Sequence, residues 1–288
     1  MAYSALATPS ATLAVLKRHG LATKKALGQH FLVDDNAVGR ILDLAALTGA
    51  ETVLEVGPGI GTLTAALCAH AAAVVAVERD ADLLPVRAET TAACPRLAIV
   101  RADAVAVAPA TLAEPFGPPV ALVANLPYAV AATVVLRFFE EIASLQSATV
   151  MVQAEVADRM SAVPGTKAYG SYTVKLRLLA EPTGRFPVSR NCFLPPPRVD
   201  SAVLRLDRKP LCDDPVLADA AARVADAAFA QRRKTIRNSL RAVLGVEASV
   251  VDDALAAAGI DGSVRAETLA PERFLALARA FRDIESAR

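Results

Sequence analysis

The chain has 288 residues, enough for two domains with substantial cores. Hydrophobic residues make up 54% of it, yet no apolar run reaches the ~18 residues of a membrane span, so the composition points to a globular, helix-rich protein. The net charge of +1 leaves nucleic acid open as a partner, because the distribution of charge matters more than its sum.

The four cysteines, Cys68, Cys94, Cys192 and Cys212, form no C-x-x-C pair and no zinc spacing. No metal site is expected, and a reducing cytosol is the natural compartment. The N-terminus lacks a charged start followed by an apolar core, so no signal peptide is expected.

In chain order, residues 1–22 read as loosely ordered, with a short helix around 10–18. Asp34 or Asp35 caps a helix running to about residue 47. Strands and helices then alternate: strand 52–56, helix 62–70, strand 73–77, helix 80–92, strands 97–100 and 120–124, helix 130–142 and strand 147–153. That alternation predicts a mostly parallel sheet with helices on both faces. The proline-rich stretch 109–119 reads as a surface loop. A helix near 154–162, a loop from Pro164-Gly165 and a helix over 171–180 follow. Residues 184–192 and 199–206 read as a terminal strand pair, and Pro210 and Pro215 mark a linker. Helices are expected at 216–230, 234–244, 248–258 and 271–284. The expected division is a catalytic α/β domain over 1–208 and a helical domain over 209–288.

Two turns carry the chemistry. The strand at 52–56 ends in Glu55-Val56-Gly57-Pro58-Gly59-Ile60-Gly61. Glycines there let a cofactor approach bare backbone and a helix N-terminus. Their spacing is not the dinucleotide fingerprint G-x-G-x-x-G, which argues against NAD or FAD. The next strand ends in Glu78, about 20 residues on, where a carboxylate accepts both ribose hydroxyls. A third strand is followed by Asp103, placed to accept from an adenine amino group. Each acid alone reads as a solvated strand end; three successive strand ends closing in a suitable polar group is a pattern.

The second turn is Asn125-Leu126-Pro127-Tyr128. An exocyclic amine on a purine is a poor nucleophile because its lone pair is delocalised into the ring. Acceptors on both of its N–H bonds favour a pyramidal nitrogen and free the pair. The Asn125 carbonyl can be one acceptor. The Leu126 backbone carbonyl can be the other, since Pro127 disfavours a helical conformation at Leu126. Tyr128 offers a stacking face. Together the turns suggest methyl transfer from S-adenosylmethionine to a base nitrogen, by alignment and fixed dipoles rather than a basic side chain.

Basic residues cluster twice without acids: Lys17, Arg18, Lys24 and Lys25 before Asp34, and Arg232-Arg233-Lys234 with Arg237 and Arg241. The second cluster reads equally as a solvated helix face and as a phosphate contact.

KKALGQHFL at 24–32, EVGPGIGTLT at 55–64, Glu78, Asp103, NLPY at 125–128, FLPPPRVDSAV at 193–203 and QRRKTIRNSL at 231–240 span nearly the whole chain. With them the chain resembles the bacterial small-subunit ribosomal RNA adenine dimethyltransferases. The resemblance implies a Rossmann-like S-adenosylmethionine-dependent sheet with a small C-terminal all-helical domain. It implies dimethylation of N6 on two adjacent adenines in the 3′-terminal hairpin of 16S rRNA, within the small ribosomal subunit, by a cytoplasmic monomer that touches no membrane. It places the cofactor against His30, Leu32, Gly57, Gly59, Glu78, Asp103 and Asn125. The target amine falls to Asn125, Leu126, Pro127 and Tyr128, with Phe193 closing over the other face of the base. RNA contact falls to Lys24, Lys25, Arg232, Arg233, Lys234 and Arg237. Leu27 and His30 depart from the aromatic and the Asn that many relatives carry. From the residues alone, GQHFL reads as a hydrophobic staple and Phe193 as core. Relatives that dimethylate one adenine of 23S rRNA share the pocket motifs, and a non-catalytic subunit-assembly role is a further alternative.

Overall fold

A computed structural model of the chain describes residues 2–22 and 29–286. The expected contacts of Lys24 and Lys25, and the departure at Leu27, lie outside the described residues.

The N-terminal segment is held more firmly than its sequence suggests. Helix α1 (Pro9–Arg18) is capped by the Thr8 side chain, which accepts from the Ala11 N–H. Its Val15 and Leu16 are buried in a cluster with Phe31, Ile60, Leu83 and Val86. The backbone N–H groups of Tyr3 and Ser4 donate to the carboxylate of Asp35. After the short strand β1 (Phe31–Leu32), Asp34 caps α2 (Asp35–Ala45), accepting from Ala37 at 3.0 Å.

Then come β2 (Thr52–Val56), α3 (Thr62–His70), β3 (Ala73–Glu78), α4 (Leu84–Thr90) and β4 (Leu97–Arg101). They are followed by α5 (Pro109–Ala113), β5 (Ala121–Asn125), α6 (Ala131–Glu141), β6 (Ser147–Gln153) and α7 (Ala154–Met160). The expected loop at 109–119 therefore holds a helical turn, entered at Pro109 and anchored by the fully buried Leu112. The helix expected over 80–92 opens as a 3-10 turn at Ala81–Leu83. Helix α8 (Ser171–Arg177), β7 (Ala180–Val188), β8 (Phe193–Leu194) and β9 (Ser201–Arg208) complete this part of the chain.

The main sheet has seven strands in the order β4-β3-β2-β5-β6-β9-β7. The first five are parallel, and β9 runs antiparallel to β6. Strands β2, β3, β5 and β6 are almost wholly buried, as their unbroken apolar runs require with helices on both faces. The chain winds outward through β2, β3 and β4, then returns to start β5 on the other side of β2. The sheet's topological switch point thus lies between β2 and β5, where this architecture places its ligand. A second, two-stranded sheet pairs β1 with β8, setting Leu32 against Phe193. Two-residue strands have no periodicity to read, and neither was expected.

The chain forms two compact units, and residues 158–181 group with the C-terminal residues from Lys209 onward. The expected division left them with the first unit. Tyr169, Val174 and Leu178 explain the difference: all three are buried in one core with residues of α9 (Pro215–Phe229), α10 (Ile236–Val243), α11 (Ala248–Ala257) and α12 (Pro271–Ser286). The Tyr169 hydroxyl donates to the Leu269 carbonyl at 2.7 Å, and its ring meets Phe229 edge-on.

Candidate active site

The parallel strands end together. Register places Val56 beside Val77, Glu78 beside Arg101 and Asn125 beside Met151. Over these ends lies a cavity of about 560 Å³, within the size range of small-molecule sites. Its lining includes His30, Leu32, Gly57, Gly59, Glu78 and Asp103 from the expected cofactor set. The expected amine-holding residues Asn125, Leu126, Pro127 and Tyr128 line it too.

The glycines are demanded by geometry. Gly57 has φ +69°, and a Cβ there would meet the Pro127 ring at 3.2 Å. The cofactor turn and the proline turn therefore abut across the switch point. At Gly59 a Cβ would meet the Phe31 ring at 3.2 Å. Gly61 caps α3 at φ +91°, and among the described residues no side chain caps that helix N-terminus, which suits it to a ligand. A Cβ at Gly61 would sit 2.9 Å from Thr91 Cγ2. Gly61→Ala is expected to cost ~1–3 kcal/mol from backbone strain and this clash, lowering the Tm by several degrees in thermal denaturation. An unchanged Tm would show that the turn relaxes freely. Open backbone, a free helix N-terminus and an acid at the next strand end fit an adenosyl cofactor.

Asn125 closes β5. Its Nδ2 donates to the His30 carbonyl at 3.3 Å, which commits Oδ1 to the acceptor role. The Leu126 N–H donates to Met151 at 3.1 Å, and among the described residues no donor reaches the Leu126 carbonyl. Two acceptors thus remain at this turn. The Tyr128 hydroxyl is paired with Ser201 Oγ at 2.7 Å, and burial raises its pKa. The His30 ring stacks on Tyr128 at 5.8 Å between centroids. His30 Nδ1 lies 2.7 Å from the Pro195 carbonyl; that oxygen only accepts, so Nδ1 carries a proton. Tyr128 is held from two sides before any base arrives.

Glu78 is buried at the end of β3. One oxygen accepts from the Asp80 N–H at 2.7 Å and the other from Arg87 Nη1 at 3.0 Å. Asp103 sits at the rim: Oδ1 accepts from the Val105 N–H and Oδ2 lies 3.5 Å from Arg79.

Phe193, expected to close over the target base, sits beside this cavity rather than in its lining. It is 2% exposed, in one core with Leu32, Val188 and Val203. Pairing of β8 with β1 sets Phe193 opposite Leu32.

Two residues of the site region were not singled out from sequence. Glu55 lines the cavity and is 1% exposed; burial pushes its carboxyl up to about 8, against the Thr64 hydroxyl and the Arg87 charge. Its signal was an acid inside the apolar run TVLEV. Arg87, fully buried on α4, lies near the buried Val86 and the preceding Leu83. A charge beside apolar positions was the clue.

The basic cluster at 232–241 is also different from expectation. Residues 231–234 form a turn, and α10 begins after the Thr235 cap. Arg237 and Arg241 both pair with Asp252, while Arg232 donates to the Lys167 carbonyl and lies 3.8 Å from Glu267. Folding supplies the acids that the local sequence lacks. Arg233 and Lys234 are exposed and form no ion pair among the described residues.

The sequence profile of the ribosomal RNA adenine dimethylase family matches residues 20–283. The chain is 41% identical over 283 residues to the ribosomal RNA small subunit methyltransferase A of Shouchella clausii, covering 96% of this chain and 95% of that protein. The protein of the same name from Enterococcus faecalis is 39% identical over 287 residues, covering 96% and 97%. Among solved structures, the 23S rRNA methyltransferase ErmE is 29% identical with a TM-score of 0.66, covering 88% of this chain and 99% of that one. A dimethyladenosine transferase from Plasmodium falciparum, at 23% identity, shares the fold with a TM-score of 0.76 over 88% and 98%. The chain belongs to the ribosomal RNA adenine dimethylase family.

Proposed function

We propose that this protein dimethylates N6 of two adjacent adenines in the 3′-terminal hairpin of 16S rRNA, in the small ribosomal subunit, acting as a cytoplasmic monomer. The observation that carries the reading is the abutment of Gly57 on Pro127, which brings a cofactor turn and an amine-holding turn to one cavity. The relatives at 39–41% identity are named for the small subunit, whereas the 23S enzyme is 29% identical; this favours 16S over 23S rRNA.

Gly57, Gly59, the N-terminus of α3, Glu78, Asp103, His30 and Leu32 would hold S-adenosylmethionine, which supplies an electrophilic methyl group when bound. Glu78 retains lone pairs for ribose hydroxyls beyond the bonds it already accepts. Asn125 Oδ1 and the Leu126 carbonyl accept the two N–H bonds of the target amine, freeing its lone pair toward the methyl. The base stacks on Tyr128, fixed by Ser201 and His30. Methylation makes the amine acidic, so its proton leaves to water and no side-chain base is required. An adenine in a hairpin leaves the stack at modest cost.

Radiolabelled methyl transfer to subunits from a strain lacking these modifications tests the function. Label on two adjacent adenines near the 3′ end of small-subunit RNA is expected. Label on the large subunit alone would transfer the protein to the 23S reading. Label on neither would leave a non-catalytic assembly role.

Arg233 and Lys234 are the exposed cations proposed to meet phosphate. Replacing both with Glu is expected to weaken RNA binding and to reduce the slope of log affinity against log salt by roughly two. An unchanged slope would remove them from the interface.

A further inference from the structure

We propose that Arg87 is a positioning residue for cofactor binding, holding the Glu78 carboxylate in the orientation that receives the ribose hydroxyls. The proposal rests on the reading of the cavity as an adenosyl site.

Arg87 lies under the cavity floor, not in it. Its side chain is 0% exposed, and Nη1 donates to Glu78 Oε2 at 3.0 Å. The other Glu78 oxygen is fixed by the Asp80 N–H. With one bond on each oxygen, the carboxylate plane is determined before any ligand enters. Its remaining lone pairs are the ones left for the cavity, whose lining includes Glu78 but not Arg87.

The arrangement is costly as packing. Arg87 sits beside the buried Leu83 and Val86, where a leucine or methionine would fill the space without desolvating a charge. Two of its nitrogens, Nε and Nη2, are buried and have no hydrogen-bond partner among the described residues. A guanidinium tolerated in this state gains little for stability, since buried ion pairs are often matched or bettered by apolar side chains. What an apolar residue cannot do is fix the Glu78 rotamer and compensate its charge. Asp80 adds negative charge around the same guanidinium, so Arg87 is also the cation that lets Glu78 and Asp80 share one wall.

The test is a cycle between protein and ligand. Calorimetric affinities are measured for S-adenosylhomocysteine and for its analogue lacking both ribose hydroxyls, with the wild type, Arg87→Met and Arg87→Lys. In the wild type, removing the hydroxyls should weaken binding about tenfold or more, as for hydrogen bonds to a charged group. Arg87→Met should weaken S-adenosylhomocysteine by a similar factor and leave the analogue nearly unchanged. Arg87→Lys keeps the charge but not the planar fork, and should show the same selective pattern at smaller size; it carries the test alone if Arg87→Met does not fold. Equal losses for both ligands, or no loss for either, would mean that Arg87 acts on general packing and would overturn the proposal. A wild type that binds S-adenosylhomocysteine but is indifferent to the hydroxyls would overturn the ribose role of Glu78, and this proposal with it. A wild type that binds neither ligand would defeat the adenosyl reading itself.

Discussion

Asn125→Ala should lower methyl transfer to the small subunit by about 10²–10³-fold, the scale seen when one preorganised hydrogen-bonding group is removed from a reacting centre. Affinity for S-adenosylhomocysteine should change little. The separation follows from the geometry. Nδ2 of Asn125 is already spent on the His30 carbonyl, so its Oδ1 is the group offered to the amine. The glycine turn, Glu78 and Asp103 hold their places through other bonds. Asn125→Asp keeps an acceptor but sets a carboxylate oxygen against the His30 carbonyl, so it should lose most of the rate and recover only part of the alanine defect. The measurements are single-turnover transfer and calorimetric binding on the same preparations. If Asn125→Ala loses binding and transfer to the same extent, the residue belongs to the cofactor site alone.

Glu55→Gln should make folding stability much less dependent on pH. The Glu55 carboxyl titrates near 4.5 when solvated and near 8 in the fold, raised mainly by burial. Between those values the folded protein retains a proton that the unfolded chain releases. The native state therefore binds more protons, and stability must fall as pH rises. The stabilising share is complete below about 4.5 and is lost as pH climbs through 8. The slope approaches about 1.4 kcal/mol per pH unit within the window, several kcal/mol in all. Glutamine is nearly isosteric with the protonated acid and does not titrate. The variant should match the wild type near pH 5 and exceed it in Tm by pH 8. Parallel Tm curves across pH 5–8 would show that Glu55 is ionised in the fold. At neutral pH the acid is thus largely uncharged, while Arg87 keeps its hydrogen bond to Glu78.

The parallel strands were legible because a strand buried on both faces is mostly apolar, and TVLEV, AVVAVE and SATVMVQ are short runs rich in β-branched residues. The glycine and NLPY turns were legible because backbone chemistry fixes them locally: positive φ at Gly57, Gly59 and Gly61, and a proline that stops a strand. What local pattern could not convey was partnership at a distance. Asp252 lies 15 residues beyond Arg237, so a cluster that reads as bare positive charge is partly neutralised once folded. Phe193 faces the core because β8 finds β1 across 160 residues of chain. Residues 158–181 join the helices because Tyr169, Val174 and Leu178 are buried there, although their sequence follows a strand of the first unit without a break.

By itself, the sequence determined the fold class, the order of the strands along the chain and the two turns that meet at the strand ends, because each depends on side-chain period and backbone preference over a few residues. Only the tertiary structure decided that Gly57 abuts Pro127, that Glu78 bonds a buried Arg87, that Tyr128 is clamped between Ser201 and His30, and which of the described basic residues form ion pairs. Those are relations between groups far apart in the chain, and their energies exist only once burial removes water and fixes distance.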